Sequence, residues 1–207
     1  MVIAIDGPAG AGKSSVARAV ADRLGFTYLD SGAMYRCVAL LVAEGALDAA
    51  AAADAAEIVL GERVLLDGRD VTDAIRTPAV SEAASRVSSD LAVRHALVRK
   101  QQVLLRDGDW VAEGRDIGTV VCPDAAVKVF LFAEPRVRAQ RRAEELGLDV
   151  EQVLAAQVER DARDAGREHS PLVPAADAVP VDTSQLDLDG VVDQILTLVV
   201  EAREVEV

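Results

Sequence analysis

The chain has 207 residues, 51% of them hydrophobic and 28% charged, enough to bury one substantial core with room for smaller appendages. Its formal net charge of −13 excludes broad electrostatic binding to nucleic acid or to anionic membranes, so any phosphate binding must be local. The longest apolar runs, such as residues 37–43, fall short of the roughly 18 residues a membrane span needs.

Met1 to Ile5 lacks the basic start and cleavage site of a leader, and the chain is read as a cytoplasmic monomer with neither nucleic acid nor membrane as partner. Cys37 and Cys122 stand alone, without CxxC spacing or nearby His pairs, so neither a disulfide framework nor a zinc site is expected. Lys13, Lys100 and Lys128 are the only lysines. Arginine carries most of the positive charge, and position must decide which arginines matter.

In chain order, Val2 to Ile5 is short, β-branched and apolar, and glycines separate it from Ser14 to Leu24, where Val16, Val20 and Leu24 have helical spacing. Phe26 to Leu29 reads as a second strand and Ala33 to Glu44 as a helix closed by Gly45. Asp48 to Leu60 is an alanine-rich helical connector. Val64, Leu65 and Leu66 followed by Asp67-Gly68 predict a small hairpin within Arg63 to Val71, the start of an insertion that ends in helices near Val80 to Val87 and Leu91 to Leu105.

Strands resume at Trp110 to Ala112 and Val127 to Phe132. Helices over Pro135 to Leu146 and Val150 to Arg163 meet at Gly147, a strand near Ala178 to Val181 follows, and a helix from Leu188 to Val200 closes the chain. This alternation predicts an α/β fold with a parallel sheet covered on both faces.

Gly7-Pro8-Ala9-Gly10-Ala11-Gly12-Lys13-Ser14 has the spacing G-x-x-x-x-G-K-[ST] between a strand and a helix, the context in which a P-loop works. The glycines let backbone N–H groups turn onto a triphosphate, Lys13 reaches its β- and γ-phosphates, and Ser14, followed by Ser15, supplies a hydroxyl ligand for Mg²⁺. A GTPase would also carry N-K-x-D, which is absent.

Asp30-Ser31-Gly32-Ala33-Met34-Tyr35-Arg36 follows the second strand, at the sheet edge where α/β proteins bind ligands. Glu113-Gly114-Arg115-Asp116-Ile117-Gly118-Thr119 follows the next, offering a phosphate fork beside an acceptor for a base amino group. Arg160, Arg163, Asp164 and Arg167 would share one face if their helix continued, and Arg136, Arg138, Arg141 and Arg142 form a second basic group. No His or carboxylate is placed as a general base; a phosphate monoester acceptor is already ionised near neutrality and needs none. His95 and His169 are read as incidental.

These motifs, with Ile75-Arg76-Thr77 and Ser170-Pro171-Leu172, resemble the bacterial cytidylate kinase family of nucleoside monophosphate kinases over nearly the full length. The resemblance implies the P-loop NMP-kinase fold: a five-stranded parallel sheet in a core of residues 1–60 and 106–207, a monophosphate-binding insertion at 61–105 and a short lid near 138–167. It implies transfer of the γ-phosphoryl of Mg-ATP to CMP or dCMP. Ser85, Arg94 and Asp116 would face the cytosine, Arg160 and Asp164 the ribose, and Arg36, Arg115 and Arg167 the acceptor phosphate, beside Ser31 and Tyr35. Lys13, Arg115, Arg160 and Arg167 would stabilise the transferred charge, and Arg138 and Arg142 would lie on the ATP side. Glu113 stands where many relatives carry Asp.

Overall fold

The computed structural model describes residues 1–205. Five strands, β1 (Val2–Asp6), β2 (Thr27–Asp30), β6 (Trp110–Gly114), β7 (Val127–Phe132) and β8 (Val179–Asp182), form one sheet in the order β2-β6-β1-β7-β8. β1 runs parallel to β6 and β7, with Ile3 opposite Val111 and Val127, and β7 runs parallel to β8. Ile3, Ala4 and Ile5 are fully buried, as a central strand covered on both faces requires. Because β1 has β6 on one side and β7 on the other, the loop leaving its carboxyl end opens where the strand order reverses, the ligand-binding position of such sheets.

Contacts divide the chain into two compact units, Met1–Tyr28 with Gly108–Val207, and Leu29–Asp107. In the first, α1 (Lys13–Leu24) and α8 (Leu188–Val205) bury Val16, Val20, Val192 and Ile195 with the sheet residues Ile5, Val129 and Leu131. Helices α6 (Pro135–Leu146) and α7 (Val150–Ala165) close a small core of their own through Ala139, Ala143 and Val153. Gly147, at φ 65°, ends α6 in the left-handed conformation a side chain disfavours.

The second unit packs α2 (Ser31–Ala43), α3 (Ala49–Ala55), α4 (Pro78–Val87) and α5 (Leu91–Leu104) around Met34, Val38, Leu66, Ile75 and Leu97. The 61–105 span expected as an insertion lies wholly within it. Asp67 (φ 50°) and Gly68 (φ 77°) make the predicted tight turn between β4 (Leu65–Leu66) and β5 (Arg69–Asp70).

The helix expected over Asp48 to Leu60 is shorter. It stops at Ala55, and Ile58–Val59 forms β3, antiparallel to β4, so the hairpin is part of a three-stranded sheet. The β-branched pair prefers the strand, and Asp67 anchors it by accepting the Glu57 N–H at 2.8 Å.

Candidate active site

The P-loop leaves β1 through Gly7, where an added Cβ would run into the Leu131 carbonyl. Gly10 needs its glycine twice over. Its φ is 78°, and a Cβ would lie 2.9 Å from Gln157 Nε2 and 3.1 Å from Arg138 Cβ. Gly12, at φ 86°, caps α1 with no side chain of its own, leaving the first N–H groups of the helix available to a ligand.

Lys13 is buried and its ammonium donates to the Pro8 carbonyl at 2.7 Å. Burial first, then the charges of Arg115 and Arg160, push its pKa down to about 7, while Glu113 and Asp6 pull the other way. Ser14 and Ser15 are exposed at the start of α1.

The loop is braced from outside by residues that sequence patterns do not single out. Thr183, just past β8, donates its hydroxyl to the Ala11 carbonyl at 3.2 Å and accepts from Arg141 Nη1 at 3.1 Å. Arg138, buried on α6, donates to the Ala9 carbonyl at 2.9 Å and the Ala133 carbonyl at 3.1 Å, and pairs with Asp161 of α7 at 2.7 Å. Arg142 pairs with Glu145 along its own helix.

Beyond β6, Arg115 Nε donates to Asp164 Oδ2 at 2.9 Å, and Arg167 bonds to the other oxygen of the same carboxylate. Burial pushes Asp164 up, but Arg115, Arg167 and Arg160 outweigh it and hold the carboxyl below its ordinary range. Arg160 thus acts electrostatically on both Lys13 and Asp164. The four residues would share one face only if the helix continued to Arg167, and it does not reach it. α7 stops at Ala165, so Arg167 reaches Asp164 from the following bend, past a Gly166 with low helix propensity.

Glu113 is buried and accepts a hydrogen bond from the Tyr28 hydroxyl, while Arg18 stacks on the Tyr28 ring at 4.7 Å. Asp6, the last residue of β1, is also buried and accepts the N–H groups of Ile117 and Gly118 at 2.9 and 2.8 Å. Asp116 is buried at the start of that turn.

In the second unit, Asp30 caps α2 by accepting the Ala33 N–H at 2.8 Å and holds Arg36 at 2.8 Å with its other oxygen. A side chain at Gly32 would crowd both, its Cβ 3.2 Å from Arg36 Nη1 and from Asp30 Oδ1. Arg94 is buried, lies 5.6 Å from the Tyr35 ring centre and donates to the Ser88 carbonyl at 3.3 Å. The Ser88 hydroxyl in turn donates to the Ser85 carbonyl at 2.9 Å, so Ser88, absent from the sequence reading, joins Ser85 to Arg94. Ser31 is buried at the first position of α2. His95 and His169 are exposed, and Cys37 and Cys122 are free thiols.

The donor set fits a nucleoside triphosphate carrying Mg²⁺: inward N–H groups, a buried Lys and a Ser hydroxyl suit a cation held mainly by phosphate oxygens and water. Among the described residues no group of three or more His, Cys, Asp or Glu is placed to hold a metal, and no helix is long and apolar enough to cross a membrane.

A parallel sheet with a P-loop at its switch point, a buried Lys and a paired Arg–carboxylate cluster define an α/β P-loop phosphotransferase. The family model described as cytidylate kinase matches residues 3–201. A cytidylate kinase from Pelotomaculum thermopropionicum is 47% identical, covering 97% of this chain and 96% of the relative, and one from Rhodococcus opacus is 49% identical over 97% and 95%. The chain belongs to the cytidylate kinase family. The fold likeness extends to an uncharacterised protein from Eubacterium ventriosum, 14% identical with a TM-score of 0.58 over 95% of this chain and 96% of that one.

Proposed function

We propose that the chain transfers the γ-phosphoryl group of ATP, bound with Mg²⁺, to the phosphate of CMP or dCMP, releasing ADP and CDP or dCDP. The observation that carries this reading is the cluster in the first unit: buried Lys13 beside the P-loop, half-buried Arg115 and Arg167 on the buried carboxylate of Asp164, and Arg160 acting on both Lys13 and Asp164. That set suits a reaction joining two phosphates, whose charges repel until cations neutralise them.

Glycines 7, 10 and 12, with Pro8, Ala9, Ala11, Ser14 and Ser15, hold the triphosphate. Ser14 would be the protein ligand of the Mg²⁺ that arrives with the nucleotide, which would supply charge neutralisation. Lys13 exchanges the Pro8 carbonyl for a phosphate oxygen and follows the transferring group. Arg115 and Arg167, pre-oriented by Asp164, fork onto the acceptor phosphate together with Arg36, whose guanidinium Asp30 holds ready. Arg160 and Asp164 contact the ribose. Ser31, Tyr35, Ser85 and Arg94 line the acceptor side, and Arg138 and Arg142 serve the ATP side, Arg138 through the Ala9 carbonyl. No side chain removes a proton, because the attacking oxygen is already ionised. The enzyme works as a cytoplasmic monomer, with 61–105 as its monophosphate-binding segment.

Base selection rests on Asp116. Cytosine offers an N4 amino donor where uracil offers an O4 acceptor, so a carboxylate facing that edge accepts from one and repels the other. Leaving such a pair unsatisfied costs about 1–3 kcal/mol, roughly five- to a hundred-and-fifty-fold. Steady-state kinetics of Asp116→Ala with CMP and UMP tests this. The variant is expected to lose CMP activity far more than UMP activity, and a full parental ratio in the variant would remove Asp116 from base reading.

A further inference from the structure

Asp6 and the turn after Asp116 divide a task that one residue normally performs alone. Asp116 occupies the capping position before the single wide helical turn Ile117–Val121, closed by Val121 N–H to the Asp116 carbonyl at 3.1 Å and Cys122 N–H to the Ile117 carbonyl at 2.7 Å. An Asp in that position ordinarily turns its carboxylate back onto the first N–H groups of its own helix, which otherwise have no partner. Asp116 makes no such bond to its own turn. The two N–H groups go instead to Asp6, one to each carboxylate oxygen.

Asp6 is held rigidly for this purpose. It ends the central strand, in register with Gly114 on one side and Phe130 on the other, and is only 6% exposed. Burial pushes its carboxyl up to about 6, opposed by the Gly118 and Ile117 hydrogen bonds, with Asp116 raising it further and Lys13 lowering it. The partner turn is fitted to it. A Cβ on Gly118 would lie 3.5 Å from Asp6 Oδ2 and 3.3 Å from Cδ of the buried Lys128. Asp6 also directly precedes Gly7, so one residue joins the first step of the phosphate loop to the turn that carries Asp116.

From this arrangement we infer that Asp6 is a positioning residue for acceptor selection: by capping the turn that follows Asp116, it fixes the backbone from which the Asp116 carboxylate is presented to the acceptor base. The inference rests on the reading of Asp116 as the base-reading carboxylate. In Asp6→Asn the side-chain amide keeps one acceptor and presents N–H groups to an N–H, so the turn loses a cap and the backbone that carries Asp116 shifts.

The test measures kcat/KM for CMP and for UMP, and ATP affinity in the absence of acceptor, in the parent, Asp6→Asn, Asp116→Ala and the double variant. With Asp6→Asn, CMP kcat/KM is expected to fall about tenfold or more and the CMP to UMP ratio to narrow about fivefold, while ATP affinity stays within about twofold. In the Asp116→Ala background the same change should leave the ratio within about twofold, a coupling that a merely structural role would not show. Gly118→Ala, whose Cβ would press on Lys128 Cδ at 3.3 Å and so shift the turn that Asp6 caps, should narrow the ratio in the same direction and stands in should Asp6→Asn fail to fold. The inference is overturned if the Asp6 and Gly118 variants keep the parental ratio, if Asp6→Asn narrows it equally in both backgrounds, or if ATP affinity falls as much as CMP activity. If Asp116→Ala itself leaves the ratio intact, the base-reading role fails first and Asp6 loses its purpose with it.

Discussion

Lys13 is a residue placed against the interest of stability. Its ammonium is buried beside two arginines, with a pKa pushed down from 10.5 to about 7. The folded chain therefore binds fewer protons than the unfolded one between those values. The destabilisation is complete below about pH 7 and is relieved as pH rises toward 10.5. A triphosphate reverses the balance, because its negative charge restores the ammonium. Calorimetry of ATP binding at pH 8, in buffers of different ionisation enthalpy, should show uptake approaching about one proton in the parent and none in Lys13→Met. The same variant should lose about a hundredfold or more in turnover while melting no lower than the parent, since Met fills the site without a buried charge. Equal proton uptake in the variant would place the titration elsewhere.

Among elements, the α6–α7 pair is the clearest case of structure serving the loop. Arg138 ties α6 to Ala9 and α7, and Gln157 Nε2 donates to the Arg138 carbonyl at 3.4 Å. Removing a partner from a buried ion pair costs about 3 kcal/mol or more. Arg138→Ala should therefore lower unfolding free energy by roughly that amount in urea denaturation and weaken ATP binding with it. A variant as stable as the parent would mean that the guanidinium makes no effective bond to the loop.

The element pattern was legible where strands are long and apolar. β1, β7 and the capped helices announce themselves through β-branched runs, Asp or Thr caps and glycine stops. β3 is not legible because two residues carry no periodicity, and the alanines before it, Ala49 to Ala53, Ala55 and Ala56, are strong helix formers. The shared face of Arg160, Arg163, Asp164 and Arg167 depends on a helix that continues past Arg163, and α7 ends at Ala165.

For the whole molecule, motif spacing made the sheet, the phosphate loop and the identity of most charged site residues readable. The partnerships were not. Asp6 with Ile117 and Gly118, Thr183 with Ala11, Arg138 with Ala9 and Ser88 with Arg94 all involve a backbone N–H or carbonyl, which every residue possesses and no sequence pattern marks. Most of them also join segments far apart in the chain, brought together only when the sheet forms.

The chain phosphorylates cytidine monophosphates, as its family does. Side-by-side turnover of CMP, dCMP, UMP, AMP and shikimate with Mg-ATP, followed as ADP release, tests it most directly. CMP and dCMP are expected to be turned over fastest, with UMP below them, AMP poor, shikimate inert, and negligible ATP hydrolysis without an acceptor. A preference for UMP, AMP or shikimate, or ATP hydrolysis indifferent to the acceptor, would contradict the account.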